Sequence, residues 1–229
     1  MGGPPSSVGQ ANGGKLIGAT PMEHKGKHHT FTWTAKKKKS NYGTLQMVAL
    51  LKRAAATVDW AVDGPPLVLG SISYEHGGKI GSHKSHQTGR DVDILFYVVA
   101  KDGKRRQSKG FYKFDGVGNC EHKNCHGDKF DLQRNWWLVR TMVWSQKPHV
   151  QYIFVSKPLR KLMLAYAKKR GEHPEILRRA AKVMVQPGNS SPHADHFHVR
   201  IYCRKGDKTC KDFGPRWDWT RPQKETAKK

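Results

Sequence analysis

Two short stretches, about a hundred residues apart, concentrate side chains that bind metals and move protons. They are Ser82-His83-Lys84-Ser85-His86-Gln87-Thr88-Gly89-Arg90-Asp91-Val92-Asp93 and His193-Ala194-Asp195-His196-Phe197-His198-Val199-Arg200, and they hold five of the 13 histidines. Zinc takes imidazole and carboxylate ligands, and a catalytic zinc site keeps one position for water. The candidate ligands are His83, His86, Asp91, Asp93, His193, His196 and His198. In a strand, residues two apart share a face. His196 and His198 therefore point together while Phe197 and Val199 enter the core. Two neighbouring antiparallel strands could place His86, Asp93 and His198 around one ion, with Gly89 turning the loop back over the strand. Core packing does not ask for polar residues on the same face of two strands. His24, His28, His29, His149 and His173 are isolated and read as ordinary surface or core histidines.

Those residues need elements to hold them. Leu45, Val48, Ala49, Leu51, Lys52, Ala55 and Val58 predict an amphipathic helix over Gly43–Val62, ended by Gly64-Pro65-Pro66. Leu67–Tyr74 reads as a strand, and the Gly-, His- and Ser-rich Glu75–Thr88 as a loop. Asp91–Val99 is the clearest strand, with Val92, Ile94 and Phe96 alternating with Asp91, Asp93 and Leu95. Asp131 can cap a helix to about Gln146 that buries Leu132, Trp136, Val139, Val143 and Trp144. Val150–Val155 is a short strand. Pro158 and Pro174 open helices to about Lys169 and Val185. His196–Cys203 is the last strand. Strands and helices do not alternate regularly, which predicts an α+β fold with a small central antiparallel sheet carrying the zinc site, flanked by helices. Residues 1–14 read as a flexible N-terminal arm, 15–215 as a single domain, and 216–229 as a polar basic tail, disordered from Thr220. No internal repeat is visible.

The chain has 229 residues, enough for one good core. Its 42 Lys+Arg against 18 Asp+Glu give a net charge of +24. A charge of that size draws anionic partners, and nucleic acid, acidic cell-wall polymers and lipid head groups all qualify. No stretch approaches the roughly 20 apolar residues of a membrane span. Met1–Ser7 shows neither a basic region nor an apolar one of the kind that directs export, which predicts either a cytoplasmic protein or a mature chain restarted with Met. Four cysteines, two of them closing a short loop at Cys203 and Cys210, favour an oxidising compartment.

The two histidine stretches resemble a known superfamily. His86-x6-Asp93 and His196-x-His198 have the spacing shared by lysostaphin-type enzymes, D-Ala-D-Ala metallopeptidases and the Sonic hedgehog signalling domain. The longer strings Ser82–Ile94 and His193–Arg200 are similar to one branch, the penicillin-insensitive murein endopeptidases. Ser7-Val8-Gly9 through Gly18, Ile153-Phe154-Val155 before a helix, and Cys203 with Cys210 agree with that branch, so the likeness covers most of residues 6–212. It implies that His86, Asp93 and His198 bind zinc. It makes His196 the general base or transition-state stabiliser. It places His83 and His193 along the site, helping to hold substrate or the attacking water. The implied chemistry is zinc-assisted attack of water on an amide, and no His-Glu-x-x-His motif points to a glutamate base instead. The implied substrate is peptidoglycan, cut at D-alanyl–meso-diaminopimelate cross-links, which places the protein in the periplasm or outside the cell.

Two departures stand out. Cys120-Glu121-His122-Lys123-Asn124-Cys125-His126 has no counterpart in that branch. It reads as a local disulfide before a second metal site or a degenerate haem motif, since haem attachment needs Cys-x-x-Cys-His. The N-terminal cysteine that family members often carry is absent, with Gly13-Gly14 in its neighbourhood, which predicts less constrained ends. The competing functions are a D,D- or L,D-carboxypeptidase of stem peptides, a basic nucleic-acid-binding protein or zinc nuclease, and a wall-binding module that has lost catalysis. No Cys2His2 spacing, helix-turn-helix signature or RNA-recognition motif supports specific nucleic-acid binding, and the six site residues argue against lost catalysis. Oligomeric state is not legible.

Overall fold

The computed structural model describes residues 6–188 and 190–221. Ser6–Gln10 (β1) and Gly13–Ile17 (β2) pair as an antiparallel hairpin. Thr20–Pro21 (β3), His29–Phe31 (β4), a short helix Trp33–Lys38 (α1) and Tyr42–Gly43 (β5) lead into Leu45–Ala61 (α2). Leu67–Leu69 (β6) precedes the loop predicted from Glu75, and Asp91–Leu95 (β7) follows it. Then come Val98–Val99 (β8), Arg105–Arg106 (β9), Lys129–Phe130 (β10) and Leu132–Trp144 (α3). Val150–Phe154 (β11), Lys157–Lys169 (α4), Pro174–Val183 (α5), Met184–Val185 (β12) and His196–Ile201 (β13) complete the described order of main elements.

The main sheet has six strands in the order β12-β11-β13-β7-β6-β4. Its inner strands, β11, β13, β7 and β6, run antiparallel, and the outer pairs β11–β12 and β4–β6 are parallel. The α+β class therefore holds. Helices α2 and α3 begin where the N-cap side chain supplies a partner for a free N–H group. The Thr44 side chain accepts from Met47 N, and Asp131 accepts from Arg134 N. The α2 face Met47, Leu50, Leu51, Ala54 and Val58 is buried, as are Trp136, Val139 and Val143 of α3. Trp144, expected in that face, is 48% exposed, and Leu138 and Met142 fill the core instead. Behind β7 and β13, Phe197 packs edge-on against Phe96 at 4.7 Å, and Phe96 against Phe130 at 4.9 Å.

Two strands are shorter than their sequence signals. β6 ends at Leu69, and the chain leaves the sheet after Ser71, which still accepts from Asp93 N, because Ile72 N bonds Ser40 O and Tyr42 N bonds Ser73 O. β7 ends at Leu95 because Tyr97 N donates to Asn135 Oδ1 and Tyr97 O accepts from Asn135 Nδ2, which turns the chain into the small β10-β8-β9 sheet.

The ends differ more. The arm expected over residues 1–14 is an ordered hairpin from Ser6, and Met1–Pro5 lie outside the described residues. Ser7 Oγ donates to Thr88 O at 2.7 Å, Gly9 N donates to Thr209 O, and Lys211 N donates to Gly9 O. Backbone bonds thus join the N-terminal hairpin to the C-terminal loop where a cysteine bridge was expected to be missed. The polar tail is docked as far as Arg221: Trp217 Nε1 donates to Gln151 O at 2.8 Å and Thr220 is buried. Residues 222–229 lie outside the described residues. Cys203 is bonded to Cys210 and Cys120 to Cys125, which settles the second pair as a local disulfide.

Candidate active site

In the β7–β13 pair, His198 stands opposite Asp93, His196 opposite Leu95, and Arg200 opposite Asp91. The side chains expected on one face of two adjacent strands are therefore on it. All five residues of β7 are buried, because the loop from Glu75 folds over that face. The loop delivers His86 in a left-handed backbone conformation, φ 69°, with its ring fully buried. Gly89 makes the return possible. At its φ of +70°, a Cβ would meet Leu16 Cδ2 at 2.7 Å and Thr44 N at 2.9 Å. Among the described residues three non-glycines have positive φ, and two of them are His86 and His193. Such conformations gather at functional sites, where the surroundings hold them in place.

Four imidazoles close on one carboxylate. His86 Nε2 is 3.2 Å, His196 Nε2 3.3 Å and His198 Nδ1 3.4 Å from Asp93 Oδ1, and His83 Nδ1 is 3.6 Å from Oδ2. The far nitrogens are each spoken for. His86 Nδ1 lies 3.0 Å from Ile72 O, His198 Nε2 lies 2.7 Å from Asp91 Oδ1, and His196 Nδ1 lies 2.7 Å from Asp195 Oδ1. A carbonyl or carboxylate oxygen only accepts, so those three ring nitrogens donate. For neutral rings, this leaves the lone pairs of His86 Nε2 and His198 Nδ1 turned toward Asp93. His193 stands beside the cluster, its ring 4.9 Å from that of His196 and 5.6 Å from that of His198, with Nδ1 donating to Ser191 O at 2.7 Å.

This donor set fits a zinc ion. Both oxygens of Asp93 and Nε2 of His86 are buried, and none has a hydrogen-bond partner. Buried polar atoms without partners are uncommon and need an explanation such as an ion. Single ligand atoms of His83, His86 and Asp93 lie within 4.8 Å of one another. Partners that fix the tautomer of a metal-binding histidine are the usual company of such sites.

The electrostatics follow from burial and neighbours. Burial works against ionisation of Asp93, but His86 and His196 overcome it and hold the carboxyl well below the usual range. Asp91 is lowered likewise, with Arg200 and then His198 outweighing burial. Burial disfavours the charged form of His196, yet Asp93 and Asp195 push it up to about 10. His198 goes the other way, to about 4, because burial outweighs its bond to Asp91. Burial also lowers His83 and His193.

The cluster lies where two cavities meet. One of about 450 Å³ is lined by Phe154, His193, His198 and Arg200, the other of about 260 Å³ by Thr32, Lys38, Gly70 and Phe111. His83, Asp93 and His196 line both. The sequence had given no site role to Asp195 or Phe111. Asp195 adjoins His196 in the chain, which was a usable signal. Phe111, whose ring stands edge-on to His196 at 5.0 Å, comes from a region with no pattern of its own.

Residues 7–220 match the family model described as penicillin-insensitive murein endopeptidase. A protein of that name from Pectobacterium atrosepticum is 26% identical over 211 residues, covering 92% of this chain and 69% of the relative. One from Escherichia coli O157:H7 is 25% identical over 211 residues, covering 92% of this chain and 71% of the relative. One from Klebsiella pneumoniae is 25% identical over 216 residues, covering 94% and 73% respectively.

Proposed function

The chain belongs to the penicillin-insensitive murein endopeptidase family and is a peptidase, and from that footing we propose that it is a zinc endopeptidase of peptidoglycan cross-links, cutting the D-alanyl–meso-diaminopimelate amide. The observation that carries the zinc assignment is the buried Asp93 carboxylate, without hydrogen-bond partners and ringed by histidines, with His198 directly opposite it. His86, Asp93 and His198 would hold the ion. When bound, zinc supplies a Lewis acid and acidifies a water toward neutral pH.

The remaining work falls to side chains of the cleft. Asp195 holds His196 by Nδ1 and leaves Nε2 on the Asp93 side. A ring oriented in that way can pass a proton to the leaving nitrogen or donate to the developing oxyanion. His83 and His193, both lowered by burial, favour neutral rings that accept or donate hydrogen bonds to substrate and water. Asp91 and Ser85 keep His198 in place from behind, at 2.7 and 3.4 Å from Nε2.

Peptidoglycan is the partner in this reading, with no specific nucleic-acid ligand. No helix among the described residues is long and apolar enough to cross a membrane. The site of action is the periplasm or the exterior, where the Cys203–Cys210 bridge is at home.

The test is digestion of purified diaminopimelate-type peptidoglycan with and without a chelator, read by mass spectrometry of the soluble muropeptides. Loss of cross-linked dimers and gain of intact-stem monomers, abolished by chelator and restored by zinc, is the expected result. Release of free D-alanine would make the enzyme a carboxypeptidase. Full activity of a metal-free His86→Ala or Asp93→Ala variant would overturn the zinc reading.

A further inference from the structure

The smaller of the two cavities has a wall whose cation has no assigned partner. Helix α1 forms that wall and is pinned at both ends to the edge of the site. Thr32, its N-cap, donates its backbone N–H to Leu69 O at 2.8 Å, and Ser40 Oγ donates to Ser71 Oγ at 2.9 Å just past its C-terminus. Lys39 closes the helix in the left-handed conformation, its N–H shared by Ala35 O and Lys36 O. Lys38, in the last turn, therefore faces the cavity that His83, Asp93 and His196 also line.

Two arginines of the cleft are engaged with carboxylates. Arg90 bonds Asp212 at 2.9 Å, and Arg200 bonds Asp91 at 2.7 Å. Lys37 lies over the Trp33 ring at 5.1 Å, away from the cavity residues. Lys38 forms no ion pair with a carboxylate among the described residues, and the one acid lining its cavity, Asp93, is enclosed by histidines. The cavity is kept open by Gly70, where a Cβ would stand 2.9 Å from both Asp93 Cβ and Phe111 Cζ. An unpaired ammonium beside a reaction centre attracts a carboxylate or a similar anion on the bound molecule.

We propose that the smaller cavity is the subsite for the residue whose nitrogen is released, and that Lys38 binds the carboxylate on the carbon bearing that nitrogen. The inference rests on the cross-link reading given above. In a D-alanyl–diaminopimelate bond, the carboxylate nearest the scissile amide is on the diaminopimelate centre that carries the nitrogen. Hydrolysis breaks the carbonyl carbon–nitrogen bond, delivers the water oxygen to the D-alanyl carbon, and leaves the proton on that nitrogen. Lys38 makes no bond to the reacting atoms and acts as a specificity residue.

The experiment uses two soluble cross-linked muropeptide dimers that differ in one group: the diaminopimelate carboxylate beside the scissile bond is free in one and amidated in the other. Steady-state kinetics are run on the zinc-loaded wild type, Lys38→Met, Lys38→Arg, and Lys168→Met, which removes another exposed charge, on α4. The wild type should favour the free carboxylate by roughly tenfold or more in kcat/KM, as for a lost charged hydrogen bond. Lys38→Met should abolish that preference through KM on the free-acid dimer, with kcat within about threefold. Lys38→Arg should restore most of it, and Lys168→Met should retain it. Equal preference in Lys38→Met and wild type, or no preference in wild type, overturns the subsite while leaving the endopeptidase reading intact. Failure of the zinc-loaded wild type to cut either dimer overturns both.

Discussion

The His198 imidazole and the Arg200 guanidinium converge on Oδ1 of Asp91, each at 2.7 Å. The carboxylate fixes which nitrogen of His198 carries the proton, and with it which nitrogen is free to bind an ion. Arg200 offsets the cost of burying that negative charge. In Asp91→Asn the acceptor survives and the charge does not. Zinc affinity should fall by roughly 10–100-fold while the fold is retained, read by competition with a chromophoric chelator alongside circular dichroism. Unchanged affinity would reduce Asp91 to a structural role. Much of this scale was legible in the chain. The spacing of His86, Asp93, His196 and His198, with strand alternation, predicted which side chains meet, and the β7–β13 register brings them together. What could not be read were contacts from distant segments. Nothing local marks Ile72 O as the acceptor for His86, or Phe111 as the neighbour of His196, because each depends on how separate loops close over one sheet.

At the scale of elements, propensity and capping decided the helices, and tertiary bonds decided the strands. Pro158 and Pro174 stand at the predicted helix starts, and Asp131 caps α3. β6 and β7 stop early although their apolar alternation continues, since the side-chain amide of Asn135 and the backbone of Ser40 take over their hydrogen bonds. Helix α5 carries a testable charge device of its own. Glu175, in its first turn, accepts from Arg178 at 2.6 and 2.8 Å and from Arg179 at 2.7 Å. The Arg178 bonds first, then the Arg179 bond, bring its pKa from the usual 4.5 to about 2. A carboxylate lowered in the folded state stabilises above its unfolded pKa, and that contribution disappears as pH falls through the folded value. The stability gap between wild type and Glu175→Gln, measured as a denaturation midpoint, should be widest near neutral pH. It should narrow from about pH 4.5 down to about pH 2. Solvent screening keeps the gap small, because the Glu175 side chain lies at the surface, 29% exposed. A gap that does not change with pH would assign it to packing.

For the molecule as a whole, the ends and the charge carry the argument. Glycine-rich sequence at the N-terminus suggested an arm, but here the glycines serve a hairpin. Gly9 has φ 77°, and a Cβ on Gly14 would stand 2.1 Å from Val8 O, so the close strand approach admits no larger residue. That hairpin lies against the Cys203–Cys210 loop and against Thr88, next to the site-bearing loop, so both termini brace the cleft. The net charge of +24 was plain from composition, and its distribution was not. Part of it is spent internally, as with Arg90, Arg105 and Arg134, each bonded to a carboxylate. The Lys36–Lys39 run instead forms the C-terminal end of α1 and its cap, with Lys38 lining the smaller cavity and Lys37, Lys38 and Lys39 exposed. A mesh of peptidoglycan carboxylates would be held there by long-range attraction, which salt screens. The Debye length falls from roughly 30 Å at 0.01 M to about 3 Å at 1 M ionic strength. Retention on isolated sacculi should therefore drop steeply over that range in a pelleting assay. Zinc content, set by buried ligands at short distance, should stay constant. Retention that ignores salt would mean that the charge does not tether the enzyme to the wall, and that the cleft alone finds its substrate.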